Sequence, residues 1–145
     1  MGTTSVFDRA HYYPGQREST LKVIADKETG RVLGSQAIWV GPSDKFIDIL
    51  ATALQAKMTC RELASVDLAY APPFSPALSP VIDAANVLLN KLEGKVKGIQ
   101  FSEVREKLEN SKEALQILDV REKDDVERKS IPGSVWIPLG ELIET

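Results

Sequence analysis

The sequence contains one cysteine and one histidine among its 145 residues. With a single cysteine, Cys60, neither an internal disulfide nor a C-x-x-C redox pair can form within the chain. We predict that Cys60 is a small buried apolar side chain rather than a reactive thiol. His11 has no companion residues at metal-ligand spacing, so we predict no metal site and place His11 on the surface of a sheet.

Long apolar runs and clusters of basic residues are also missing. No apolar stretch approaches the roughly 20 residues that a transmembrane helix needs, and the N-terminal segment lacks the pattern of a signal peptide. The net charge is −3 and the signs are interspersed, which argues against nucleic acid or a membrane as a partner. We therefore predict a cytoplasmic protein.

The first part of the chain predicts an antiparallel sheet. Residues Ser19–Asp26 alternate apolar and polar side chains, and Arg31–Val40 resumes an apolar pattern after a turn that ends in glycine. Two such runs joined by a short turn are typical of a β-hairpin. We predict a third strand over Thr3–Tyr13, which would point the adjacent Tyr12 and Tyr13 to opposite faces of the sheet.

Helices with capping signals follow these strands. Ser43 is a predicted N-cap, and apolar residues then recur at intervals of three and four from Phe46 to Leu54. Thr59 and Glu62 are three residues apart, which is the signature of a capping box. Helices packed against an antiparallel sheet place this part of the chain in the α+β class.

A third helix is predicted from Pro80, with Ser79 as its N-cap. Its apolar residues form a stripe from Val81 to Leu92 that is wider than one small sheet would cover. We expect this stripe to be buried on two sides. Because one small sheet cannot cover it, we predict that the chain forms a two-fold dimer.

The segment Tyr70–Val81 reads Y-A-P-P-F-S-P-A-L-S-P-V. Pro72 and Pro73 restrict the backbone that follows Tyr70. A tyrosine on so stiff a segment suits either a preorganised hydrogen-bond donor or a tight interface. The same choice, packing or a hydroxyl aimed at a ligand, is open for the adjacent tyrosine pair near the N-terminus.

The pattern changes beyond residues 94–100, a stretch rich in glycine and lysine that we interpret as a linker. A charged helix, an apolar strand over Gln116–Val120 and a second short strand then suggest the opening of an α/β unit. Asp119 and Arg121 lie at the carboxyl end of the first strand, where side chains often line a site. Such charges also commonly pair with each other, and both interpretations stay open.

Three motifs resemble one protein family: H-Y-Y-P-G from His11, K-x-T-G-R-V-L-G-x-Q from Lys27, and L-A-Y-A-P-P from Leu68. Together they resemble the C-terminal dimerisation domain of flavin-dependent pyridine nucleotide-disulfide reductases, in the branch of coenzyme A-disulfide reductases and NADH oxidases. From Gly98 onward, the motif I-L-D-V-R-E followed by I-P-G-S-V-W-I-P-L-G-E-L resembles the start of a rhodanese-like domain.

The resemblance implies three segments: a dimerisation domain over residues 1–93, the linker 94–100, and the truncated N-terminal part of a rhodanese-like domain over residues 101–145. The implied fold is an antiparallel sheet packed with helices, followed by an incomplete α/β segment. The strand Gln116–Val120 would be central in a parallel sheet whose later neighbours are absent, so we expect its apolar side chains to be partly exposed. We therefore expect this chain to be an internal fragment of a longer protein.

The resemblance also implies cofactors and partners. The sequence has neither a G-x-G-x-x-G nor a G-x-x-x-x-G-K-[ST] motif, so FAD and NAD(P)H would bind to other domains of the parent, together with the redox cysteine. The fragment alone would bind neither cofactor and would be inactive. The implied parent is a homodimeric oxidoreductase that acts on coenzyme A-type thiols and disulfides.

The resemblance assigns site residues as well. In this family, tyrosines in the matching segments lie near the bound coenzyme A and redox cysteine of the other subunit, which implies catalytic roles for Tyr12 and Tyr70. Tyr70 and Phe74 are the expected substrate contacts, and Asp119 and Arg121 form the expected rhodanese-like motif. A non-enzymatic dimerising module is the alternative. A stand-alone sulfurtransferase is disfavoured because no cysteine lies where a persulfide would form.

Overall fold

The computed structural model describes residues 1–39, 44–110 and 115–143. The chain forms two compact units, Met1–Gly98 and Ile99–Thr145. The elements of the first unit are β1 (Gly2–Phe7), β2 (Glu18–Ala25), β3 (Val32–Trp39), α1 (Asp44–Gln55), α2 (Cys60–Ala64) and α3 (Pro80–Leu92). The mixture of helices with an antiparallel sheet confirms the predicted α+β class.

The sheet has the order β1-β2-β3 with antiparallel pairs throughout. The turn between β2 and β3 is held by Asp26, whose carboxylate accepts from the backbone N–H groups of Glu28 at 3.1 Å and Thr29 at 2.7 Å. Gly30 closes the turn at a φ of 70°, in the left-handed region that glycine tolerates. The hairpin predicted from the sequence is therefore confirmed.

The predicted third strand is too long, because β1 ends at Phe7. Asp8 stops it by accepting a hydrogen bond on its side chain from the Arg17 N–H, and the residues that follow turn away from the sheet. The interpretation of Tyr12 and Tyr13 as neighbours on opposite sheet faces is therefore wrong. His11 is exposed, as expected, but it lies in a turn and not on a sheet.

The core lies between the sheet and the three helices. Its fully buried side chains are Leu21, Val23, Val32, Phe46, Leu50, Ala53, Cys60, Leu63, Val81, Ala84, Ala85 and Leu88. Helix α3 packs against β1, β2, α1 and α2, so its apolar stripe is buried on two fronts within one chain. The stripe is therefore not a motive for dimerisation, because α2 covers the part that the sheet leaves open.

The capping predictions have different outcomes. Thr59 and Glu62 form both hydrogen bonds of a capping box at the start of α2, as predicted. Ser79 stands at the N-cap of α3 with Pro80 next, but the Ser79 side chain makes no capping bond. Its backbone carbonyl instead accepts from the Asp83 N–H at 3.0 Å. The predicted N-cap Ser43 lies outside the described residues.

The second unit contains α4 (Phe101–Asn110), β4 (Leu118–Asp119), α5 (Lys123–Arg128), β5 (Val135–Trp136) and α6 (Leu139–Ile143). The strands β4 and β5 pair in parallel, and β4 is shorter than the strand predicted over Gln116–Val120. None of the residues whose burial is described in this unit is buried. In the described parts of both units, every helix is too short or too polar to cross a bilayer.

We expect Gly2→Ala to destabilise the first unit, because Gly2 lies directly against α3. A Cβ at this position would lie 2.9 Å from the Leu88 Cβ and 3.1 Å from the Ala84 carbonyl oxygen. The strand and the helix must then move apart, at an expected loss of about 1–3 kcal/mol in the free energy of unfolding. Denaturant titration measures this loss. Gly34→Ala is the control, since a Cβ there has no neighbour within 4 Å, and equal stability of the two variants would refute the close packing.

Candidate functional site

Two tyrosine hydroxyls meet in the first unit. The hydroxyl oxygens of Tyr12 and Tyr70 lie 3.3 Å apart, and either can be the donor. Tyr12 is 65% exposed and Tyr70 is 49% exposed, so packing of the rings holds neither of them firmly. The loops that carry the two rings must therefore be fixed for the hydroxyls to stay together.

The loop that carries Tyr12 is organised around Asp8. The Asp8 N–H donates to the Arg17 carbonyl at 3.0 Å, and the Arg17 N–H donates to the Asp8 carboxylate at 2.9 Å. The guanidinium of Arg9 adds two further bonds to this carboxylate, at 3.1 and 2.9 Å. Burial raises the pKa of the Asp8 carboxyl, but these hydrogen bonds outweigh burial, and the net pKa is below its ordinary value.

The loop that carries Tyr70 is braced internally and joined to the first loop. The Ala71 carbonyl accepts from the N–H groups of Phe74 at 2.9 Å and Ser75 at 3.0 Å, which closes a tight turn. The Ala10 N–H donates to the Pro72 carbonyl at 3.2 Å. This backbone bond connects the two loops close to both tyrosines.

The tyrosine pair lines a pocket of about 470 Å³. Most of its wall is apolar and comes from Val6, Phe7, Ala10, Pro76, Ala77 and Leu78. Polar side chains including His11 and Glu18 complete it, and the His11 ring meets the Tyr12 ring edge-on at 5.3 Å. An apolar pocket with a few convergent polar groups is the usual form of a small-molecule site.

The electrostatics of the pair keep the Tyr70 hydroxyl protonated and able to donate a hydrogen bond. The hydrogen bond with Tyr12, together with desolvation, raises the pKa of Tyr70 above its ordinary value. Tyr70 therefore stays protonated through the neutral pH range. A single hydrogen bond between two phenols uses one hydroxyl hydrogen, so the second can be donated to a third group in the pocket.

Phe74 does not join the tyrosine pocket. It is 72% exposed and lines a separate pocket of about 220 Å³ with Pro73 and Lys45. The Lys45 ammonium also reaches the Phe74 carbonyl at 3.4 Å. The structure therefore places this predicted substrate contact apart from Tyr70, and its role stays a prediction.

Asp119 and Arg121 pair with each other at the end of β4. The guanidinium donates to the two carboxylate oxygens at 2.9 and 2.7 Å and to the Lys129 carbonyl at 2.7 Å. The hydrogen bonds from Arg121 lower the pKa of the Asp119 carboxyl. The pair also lines a groove of about 490 Å³ with Ile131 and other residues of the second unit.

Metal and thiol chemistry find no support among the described residues. No three side chains of the types that bind metal ions come together in that part of the chain. Cys60 is fully buried, as predicted, and burial raises the pKa of its thiol. A protonated thiol without solvent access is a poor nucleophile.

Comparison with known proteins matches residues 2–81 to the family of pyridine nucleotide-disulphide oxidoreductase dimerisation domains. The chain belongs to this family. The matched segment contains both loops of the tyrosine pair, whereas Asp119 and Arg121 lie beyond it.

Relatives of this dimerisation domain include larger reductases. The NAD(P)H sulfur oxidoreductase (CoA-dependent) of Pyrococcus abyssi is 45% identical over 80 residues, which are 55% of this chain and 18% of that protein. The NAD-dependent persulfide reductase of A. fulgidus is 45% identical with a TM-score of 0.84, over 99% of this chain and 25% of that one. The reduced CoADR-RHD of Bacillus anthracis is 33% identical with a TM-score of 0.89, at the same coverage. This chain thus spans about a fifth of the Pyrococcus protein and a quarter of each solved chain.

Sequence reasoning missed the contribution of Asp8 and Arg9 to this dimerisation domain. The available signal was an aspartate between a strand-like run and a turn, where its side chain can bind backbone N–H groups two or more residues away. The register of β1 on β2 places Arg17 beside Asp8, its hydrogen-bond partner. No local sequence pattern would have paired these two residues.

Proposed function

We propose that this chain is the dimerisation part of a larger FAD- and NAD(P)H-dependent reductase that acts on persulfides or disulfides of coenzyme A. In this proposal, Tyr12 and Tyr70 of one subunit reach the active site of the other. The activities named for the Pyrococcus and A. fulgidus relatives support the substrate class. The observation that carries the proposal is the tyrosine pair, two hydroxyls 3.3 Å apart in the wall of a mainly apolar pocket.

The chemistry of such a substrate explains why two phenols would be useful. Reduction of a sulfur–sulfur bond requires two electrons, which FAD and NAD(P)H bound by other domains would supply. The departing sulfur gains negative charge as the bond breaks. A preorganised hydroxyl that donates to this sulfur stabilises the charge where it develops. Once the second subunit covers the pocket and excludes water, this stabilisation would exceed that in water, because the local dielectric constant would be lower.

The cofactors would be held by other parts of the longer enzyme. The sequence of this chain contains no glycine-rich dinucleotide motif, and the pocket of the tyrosine pair contains no helix N-terminus with such a motif. In this proposal the tyrosine pair supplies hydrogen-bond donors, and the flavin is bound by another part of the enzyme.

The second copy of the chain would cover the sheet face opposite the core. Phe7 pairs with Glu18 and Ile38 pairs with Thr20, so these side chains share one face with Ile24. Ile38 is 76% exposed, and Phe7 and Ile24 are also exposed. A family of dimerisation domains, and a sheet face that exposes three large apolar side chains, together favour a second copy as the occupant.

We expect this chain to sediment as a dimer at micromolar concentration, with an interface of roughly 2,000 Å² or more. Ile38→Glu should shift it to the monomer, because a charge would be buried at the centre of the interface. Ala51→Glu, on the exposed side of α1, is the matched control and should stay dimeric. A monomeric wild type would refute the dimer, and a dimeric Ile38→Glu variant would refute this choice of face.

We extend the proposal to the second unit as the start of a rhodanese-like domain over residues 101–145, after the linker 94–100 and the dimerisation domain 1–93. The parallel pairing of β4 with β5 supports it, since this pairing is typical of α/β units. The Asp119–Arg121 pair then stands at the carboxyl end of the first strand, where sites of such folds are built.

A further inference from the structure

We propose that Asp8 is a positioning residue for the tyrosine pair: its carboxylate fixes the loop of residues 8–17 so that the Tyr12 hydroxyl meets Tyr70. The catalytic consequence of this inference rests on the proposed function. The geometric part rests only on contacts within this chain.

The contacts link Asp8 to both of the loops that carry the two hydroxyls. Asp8 closes the base of the loop through Arg17 on one side and holds the Arg9 guanidinium on the other. The next residue, Ala10, donates its N–H to the proline-braced loop of Tyr70. The side chain of Asp8 is only 6% exposed, so water competes little for its hydrogen bonds.

Tyr12 needs such support because few packing contacts hold its ring in place. Its exposed fraction of 65% leaves several rotamers open, and the edge contact with His11 comes from the same loop. A hydrogen bond between two exposed phenols is weak, because water competes for both hydroxyls, and it cannot order a loop by itself. The backbone must therefore be set first, and Asp8 is the residue that sets it.

The test titrates each tyrosine in the intact chain and monitors the titration by NMR of ¹³C-labelled tyrosine. The sequence has only three tyrosines, Tyr12, Tyr13 and Tyr70, and Tyr→Phe variants assign each signal. In the wild type, Tyr70 should titrate above the ordinary tyrosine range. With Asp8→Asn, its pKa should return toward the ordinary value, and the cross-relaxation between the rings of Tyr12 and Tyr70 should be lost.

A second variant separates positioning from direct electrostatics. Loss of the negative charge in Asp8→Asn would lower a neighbouring phenol pKa, whereas loss of the positive charge in Arg9→Gln would raise it. If Asp8 and Arg9 act by positioning the loop, both variants should lower the Tyr70 pKa. The other charged groups that line the pocket, including Glu18 and Asp83, are unchanged in both. If circular dichroism shows that Asp8→Asn does not fold, the direction of the Tyr70 pKa shift in Arg9→Gln still distinguishes positioning from direct electrostatics.

Asp26→Asn is the matched control, because Asp26 also fixes a turn of the first unit through backbone N–H groups. It should lower stability without moving the Tyr70 titration. Opposite shifts in the Asp8 and Arg9 variants, or an unchanged Tyr70 pKa in both, would overturn the inference. In the complete reductase, Asp8→Asn should lower kcat more than it changes KM. If Tyr70→Phe has no effect there, the proposed function fails while the NMR result stands.

Discussion

Tyr70→Phe, made in the complete reductase that carries this chain, should lower turnover about 10²-fold. The substitution removes a hydroxyl from the pair with Tyr12 and leaves the ring in place. Flavin content and dimerisation should therefore stay normal. Steady-state kinetics at saturating substrate, with sedimentation of the same samples, measures both properties.

The matched control is Tyr13→Phe. Tyr13→Phe also removes one hydroxyl, from the same loop as Tyr12, but Tyr13 does not line the tyrosine pocket. Its turnover should be normal. The rival interpretation, in which Tyr70 only anchors an interface, requires normal turnover for Tyr70→Phe and a weakened dimer for Tyr70→Ala. Wild-type rates in Tyr70→Phe and Tyr12→Phe together would refute the catalytic role.

The second unit should exchange its backbone amide hydrogens faster than the first by roughly three orders of magnitude or more. The residues whose burial is described there include none that is buried, and β4 and β5 have two residues each. Leu118 and Trp136 are exposed in these strands, so little apolar burial opposes local unfolding. Hydrogen exchange followed by mass spectrometry measures the difference.

The internal references for this experiment lie in the first unit. The amides of Leu21 and Val23, in the central strand and with fully buried side chains, set the slow limit. Lys97, exposed and outside any helix or strand near the end of the first unit, sets the fast limit. Protection of β4 equal to that of β2 would show that the second unit is stabilised by burial that the present structure does not contain.

Local sequence signals correctly predicted the features that are fixed by residues close together in the sequence. The capping box of Thr59 and Glu62 involves residues three apart, and the turn at Gly30 depends on glycine's access to a positive φ. The alternation of β2 placed Leu21 and Val23 on the core side. Such features need only near neighbours, so the sequence pattern was sufficient for them.

The errors arose where distant residues decide the outcome. The first strand ends at Phe7 because Asp8 bonds to Arg17 across the sheet, and a pattern of alternating residues cannot show this. The apolar stripe of α3 is satisfied by α2 within the same chain. The width of that stripe, read alone, suggested a partner subunit where α2 of the same chain packs.

The sequence by itself determined the family, through motifs that stand within residues 2–81, and it singled out Tyr12 and Tyr70 through the resemblance. Only the tertiary structure decided that these residues, 58 positions apart, bring their hydroxyls within 3.3 Å. It also separated Phe74 from them. The physical reason is that hydrogen bonds between loops, such as Ala10 to Pro72, depend on how the chain closes in space. Spacing along the sequence does not encode that closure.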